Sequence, residues 1–167
     1  MKRVLALLVI FCAATLPPSA RAATPQAAAD FQPEQLRGFA RDTLVVQRAS
    51  GRDQFTIWLA DTPAQQQQGL MWIQQLPTDY GMLFLLPEPR PMSMWMKNTY
   101  VPLSIAYIDA QGVILNILDM KPHDESTHPS AGAALYALEM KQGWFKDRGI
   151  VAGNRVEGLD KAGKARQ

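Results

Sequence analysis

Pro102-Leu103-Ser104-Ile105-Ala106-Tyr107-Ile108 is followed by Asp109-Ala110-Gln111-Gly112 and then by Val113-Ile114-Leu115-Asn116-Ile117-Leu118. The first stretch puts Leu103, Ile105 and Tyr107 on one side at a period of two, and the last is β-branched and apolar. Between them stand four residues of turn chemistry, so the three pieces read as a β-hairpin. The same signals recur on both sides. Leu44-Val45-Val46 is β-rich, Gln54 to Ala60 alternates through Phe55, Ile57 and Leu59, and Met82 to Leu86 is an unbroken apolar run. Such a run suits a strand buried on both faces. Met92 to Met96 alternates, and Ala134 to Met140 and Arg155 to Leu159 complete the set. Strands at this spacing predict a mainly β fold, a small antiparallel β-sandwich or barrel.

One or two short helices interrupt the strands. Thr62-Pro63-Ala64-Gln65 has the form of a capping box with proline at the first helical position, and Gly69 is placed to end that helix with positive φ. Trp144 to Arg148, between Gly143 and Gly149, reads as a second helical turn.

The N-terminus reads as an address. Met1-Lys2-Arg3 is basic, Val4 to Leu16 is almost wholly apolar, and Ala20-Arg21-Ala22 closes the segment with a small-residue cleavage pattern. This is the layout of a signal peptide over residues 1–22, and implies a periplasmic or secreted protein without a stable membrane anchor after cleavage. Residues 23–42, rich in Ala, Pro and Gln, read as a low-order tether. The domain is expected over 43–160, with 161–167 as a tail.

Cleavage changes what the composition excludes. Without Lys2, Arg3 and Arg21 the 17 basic side chains become 14, against 15 acidic ones, a net charge of −1. That balance lacks the cationic surplus that displaces counterions from nucleic acid, so no nucleic-acid partner is expected. Cys12 is the only cysteine and lies in the signal segment. A disulfide framework, a thiolate nucleophile and a cysteine metal site are therefore excluded from the mature chain. No phosphate-cradling glycine loop or dinucleotide fingerprint occurs, and no cofactor is expected.

Four features carry chemistry. Met92, Met94 and Met96 would share a strand face, and thioethers select Cu(I); core packing by methionine is the plainer reading. Lys97-Asn98 follows directly, a cation beside an amide that both donates and accepts. Glu139 ends the apolar run from Ala134, and its carboxylate wants a positive partner, for which Lys97 is the candidate. Two histidines, His123 and His128, sit in a proline-flanked loop whose spacing matches no helical metal site and which reads as solvated.

Gly69-Leu70-Met71, Gly81-Met82-Leu83-Phe84, Trp95-Met96-Lys97-Asn98-Thr99, Leu138-Glu139 and Gly143 occur in that order. In these blocks the chain resembles the domain of unknown function 192 family, also called uncharacterised protein family 0127, from about Leu44 to Leu159. The resemblance implies a compact, mainly β domain, often exported in bacteria, and singles out Gly69, Leu70, Met71, Gly81, Met82, Phe84, Trp95, Met96, Lys97, Asn98, Leu138, Glu139 and Gly143. The family usually carries an acid after Pro-Leu, where this chain has Ser104, and an aromatic before the Trp, where it has Met94. The expected function is a non-catalytic binding or accessory domain for a small ligand or a protein partner. Its site would comprise Lys97, Asn98 and Glu139, with Trp95 as an apolar wall. The alternatives are a small hydrolase or lyase using Glu139 as acid or base and Lys97 as stabiliser, and Cu(I) handling by Met92, Met94 and Met96.

Overall fold

The computed structural model describes residues 31–166; the expected signal peptide, Cys12 and residues 23–30 of the expected tether lie outside the described residues. The described residues form nine strands: β1 (Ala40–Arg48), β2 (Gly51–Ala60), β3 (Tyr80–Arg90), β4 (Ser93–Met94), β5 (Leu103–Ile108), β6 (Ile114–Met120), β7 (His128–Pro129), β8 (Ala134–Lys141) and β9 (Arg155–Glu157). Two short α-helices accompany them, α1 (Pro63–Gln68) and α2 (Trp144–Asp147). The fold is mainly β. None of the described helices is long and apolar enough to cross a membrane.

Seven strands form one sheet in the order β6-β5-β8-β3-β2-β1-β9, and β4 pairs with β7 apart from it. The sheet curls until its outer strands meet at one end. Val113 bridges Arg155, the Ile114 amide donates to the Asn154 carbonyl at 2.9 Å, and the Val156 amide donates to the Gly112 carbonyl at 2.8 Å. The result is a curled half-barrel whose edges protect one another, which removes part of the edge-strand hazard. The expected hairpin is β5–β6, in register from Leu103↔Met120 to Ile108↔Ile114.

Three features depart from the sequence reading. The pair β2–β3 is parallel, from Thr56↔Tyr80 to Ala60↔Phe84, so the sheet is not wholly antiparallel. Parallel neighbours require a crossover, and α1 with residues 69–79 provides it. The low-order reading also does not hold from residue 31 onward: Leu36 is fully buried and β1 already begins at Ala40. Nor do residues 161–166 hang free, since Ala162 is buried and the Arg166 guanidinium holds both Asp61 carboxylate oxygens at 2.7 and 2.8 Å.

The cross-strand register sorts the sheet into two faces. Leu59, Leu83, Leu138 and Ala106 lie in one row, on the face that packs with Phe55, Trp144 and Phe145 into the principal core. Trp58, Met82, Glu139 and Ile105 lie in the next row and therefore point to the other face. Glu139 thus occupies the middle of the sheet between β3 and β5. It does not close the strand, because β8 runs on to Lys141.

Candidate functional site

The α1 helix begins at Thr62, whose hydroxyl accepts from the Gln65 amide while the Gln65 side chain accepts from the Thr62 amide. This is the capping box expected from the sequence. Gly69 ends the helix with φ 53° and ψ −139°, positive as expected but outside the left-handed helical region. That conformation belongs to glycine, and a Cβ here would also press on the Phe84 ring at 3.3 Å. The chain then turns back across the outer face of the sheet, carrying Leu70 and Met71 towards β3 and β8.

A second segment arrives from the other side. Met96 is buried, Lys97-Asn98 forms a turn, and Asn98 takes φ 54°. The Asn98 carbonyl accepts from the Trp72 amide at 2.9 Å, and its Nδ2 lies 4.0 Å from the Met71 sulfur. These contacts tie the Trp95–Thr99 segment to the segment after α1.

Between the two segments lies a small recess of about 40 Å³. Gln66, Gln67, Gln68, Gly69, Leu70 and Met71 line it from one side, Met94, Trp95, Lys97 and Thr99 from the other, with Phe84 and Glu139 contributed by the sheet. Three blocks singled out in the sequence, Gly69-Leu70-Met71, Trp95 with Lys97, and Glu139, therefore line one concavity. Asn98 braces it from outside. Met82 pairs with Glu139 across the β3–β8 ladder, and Gly81 allows the two strands to approach, because a Cβ there would overlap the Glu139 carbonyl oxygen and the Met140 sulfur. Leu138 belongs to the opposite face and Gly143, at φ 85°, starts α2.

Glu139 is 4% exposed, and no hydrogen bond to its carboxyl is made by the described residues. None of the described buried polar atoms is both sealed from solvent and unpaired, so the Glu139 oxygens keep access to the recess. Burial alone raises its carboxyl from 4.5 to about 8. A carboxylate removed from water without a partner takes up a proton instead of staying charged. Tyr107, two residues along β5 from Ile105, feels the same site. Its phenol is held well above its ordinary value, first by burial and then by the Glu139 charge, and it donates to the His128 carbonyl.

The expected Lys97–Glu139 ion pair is absent from the described residues. Lys97 is exposed, and its ammonium stands over the half-exposed Trp95 ring, 5.4 Å from the centroid. An ammonium keeps its hydration there and gains a cation–π contact, whereas pairing with Glu139 would require desolvating both charges.

The methionines divide. The paired strand covers only Ser93–Met94; Met92 and Met94 line a neighbouring recess of about 330 Å³ that shares Gln66, Phe84 and Met94 with the first. Met96 is buried and lines neither, so no common strand face unites the three sulfurs. The histidines also diverge. His123 packs edge-on against Tyr100 at 4.8 Å, while the His128 ring lies 3.3 Å from the Met94 carbonyl and 3.9 Å from Asp124. Among the described residues no three His, Cys, Asp or Glu side chains are grouped to hold a metal ion.

Sequence reasoning missed the three rim glutamines, whose side chains carry no spacing signal. It also missed the acid opposite Ser104: Ser104 is buried and donates to Asp119 on β6, and its oxygen accepts from the Gly143 amide at 3.0 Å. A carboxylate therefore stands beside Ser104, on the paired strand.

Comparison with known proteins adds a family. DUF192, described as uncharacterized ACR, matches residues 45–158. A crystal structure from Sinorhizobium meliloti 1021, of a protein provisionally described as a transcription regulator, is 40% identical with a TM-score of 0.70, covering 72% of this chain and 95% of that one. A protein of unknown function from Novosphingobium aromaticivorans DSM 12444 is 34% identical with a TM-score of 0.72, covering 81% of this chain and 99% of the other. No curated protein matches the chain.

Proposed function

Since the chain belongs to the DUF192 family, we propose that it is an exported, non-catalytic binding or accessory domain whose ligand docks over the Trp95–Lys97–Glu139 recess. The observation that carries this reading is the Glu139 carboxyl, 4% exposed, without a protein partner, and facing a recess instead of solid core. A core position filled by an unpaired carboxyl is costly for folding, and function is a reason to keep one. The recess admits one small group and not a whole substrate, which fits recognition of a ligand's end with the remainder lying on Trp95. Export rests on the signal-peptide pattern of residues 1–22. A regulator of transcription, as the Sinorhizobium meliloti neighbour is provisionally described, would meet DNA. The mature charge of −1 does not favour that partner here.

The enzyme alternative has one specific support. A carboxyl held near 8 is protonated at neutral pH and can serve as a general acid, with Lys97 steadying a developing anion. A backbone-amide NMR screen of the mature chain against a library of small polar molecules separates the readings. The binding domain should show shifts confined to the residues around Trp95 and Lys97 with the compounds recovered unchanged. Conversion of a compound, or shifts confined to another surface such as the Ser104–Asp119 edge, would overturn the proposal.

A further inference from the structure

We propose that the recess is a carboxylate subsite, in which a ligand carboxylate accepts one hydrogen bond from the Glu139 carboxyl at the floor and a charge-assisted one from the Lys97 ammonium at the rim. This rests on the binding reading above and names the ligand class. Size, charge and available protons support it.

A cavity of about 10–15 Å³ already holds one water-sized group. The 40 Å³ recess has room for a small group of carboxylate size and for little more. The walls reaching in from Leu70, Met71, Phe84 and Met94 are apolar and offer no hydrogen bonds of their own beyond weak sulfur acceptors.

The charges favour an anion. Lys97 lines the recess, and its ammonium over Trp95 is free to be drawn towards a ligand at small cost, because it gives up a cation–π contact and no ion pair. The groups that face Glu139 from the packed elements are few. Lys97 comes from the turn after β4, and Tyr107 from β5 has its hydroxyl already committed to the His128 carbonyl. From α1 come Gln66, Gln67 and Gln68, and from β3 Phe84 and Met82, none of which titrates. With Glu139 protonated, the recess carries the single positive charge of Lys97. A cationic ligand would meet that charge and would have to drive the proton off Glu139 as it entered.

Glu139 is held near 8 by burial, and this sets the sign of the pH dependence. The carboxylate ligand binds the protonated form. One pH unit above the midpoint about a tenth of the molecules keep that proton, so the apparent affinity falls about tenfold. A cation has the opposite dependence. The side-chain amide of glutamine, which donates at every pH, should replace the protonated acid.

The test is an NMR titration of the mature chain with acetate, with ethylammonium and acetamide as controls, at pH about 6 and about 9, where protonation of a group near 8 differs by about tenfold. The expected result is that acetate shifts the Trp95 indole and Lys97 signals, with affinity at least about tenfold lower at the higher pH. Glu139→Gln should keep acetate binding at the lower pH and lose the pH dependence, while Lys97→Met should weaken binding about tenfold. A peptide with a free C-terminus set against its amidated form then separates a chain end from a small organic acid as the source. Ethylammonium or acetamide binding in place of acetate would overturn the carboxylate class and leave the binding site standing. Silence of the recess signals to all three probes would overturn both. Loss of acetate binding in a folded Glu139→Gln variant would contradict the role given to the Glu139 proton.

Discussion

At the residue scale, Glu139 links the site to stability. Its carboxyl is raised from 4.5 to about 8 by burial. Below about pH 4.5 it is protonated in folded and unfolded chains alike, and adds no pH-dependent cost. From there to about pH 8 only the unfolded chain is ionised, so the folded chain binds more protons. Stability from this group therefore falls with rising pH, by up to about 1.4 kcal/mol per pH unit, and the loss is complete above the folded midpoint. Denaturant midpoints across this range should fall for the wild type and change less for Glu139→Gln; parallel profiles would count against the assignment. Gly81 supports the same residue from the neighbouring strand. Gly81→Ala should cost about 1–3 kcal/mol, because the overlap is with the Glu139 backbone carbonyl, which cannot turn aside. An unchanged urea midpoint would show that β3 and β8 can part without cost.

At the element scale, the crossover from β2 to β3 builds one wall of the recess. Thr62→Ala should cost about 1 kcal/mol through the lost cap. Gly69→Val should cost at least about 1 kcal/mol, since a β-branched residue resists φ 53° and its Cβ meets the Phe84 ring. The opposite wall gives a contrasting expectation. Lys97 makes no ion pair with Glu139, so Lys97→Met and Glu139→Gln should be additive within about 0.5 kcal/mol in a double-mutant cycle. Coupling well beyond that would restore the ion pair that the sequence suggested.

These elements also show what was legible beforehand. The β5–β6 hairpin, the α1 cap and the buried β3 run were readable because local chemistry decides them: alternation, turn residues and a hydroxyl in capping position. The parallel β2–β3 pairing was not, because a short helix between two strands is compatible with either direction until the sheet order is known. The Ala- and Gln-rich stretch before β1 carried no periodicity, yet it starts the sheet at Ala40 because β2 offers a paired edge from Gly51 onwards. Likewise the Met92–Met96 alternation looked like a strand, but β4 has only the two-residue β7 as its partner. The Lys97–Glu139 expectation named two residues that do line one recess, but an interaction that they do not make, since spacing along the chain says nothing about which charge stays in water.

At the scale of the whole molecule, the segment after β9 packs back onto the principal core. Ala162 is buried, and Arg166 clasps Asp61 just before α1. Removing residues 161–167 should lower the thermal midpoint by about 2–4 °C, the size of a roughly 1 kcal/mol change in a chain of this length; an unchanged midpoint would show that the clasp is idle. The proposed export is tested at the same scale. Fused to a reporter active only outside the cytoplasm, residues 1–30 should give signal, and mature protein should begin near Ala23; retention of Met1 would contradict the signal peptide.

A ligand site built on an unpaired, protonated carboxyl stands or falls with the state of Glu139 in the free protein. Carbon-13 NMR of the glutamate carboxyl signals, with Glu139 assigned by its absence in Glu139→Gln, reads that state directly as pH is varied. The expected midpoint for Glu139 is near 8, rising further when acetate is present. A midpoint in the ordinary range near about 4.3, unmoved by acetate, would mean that the carboxyl is charged and solvated, and would contradict the proposed site.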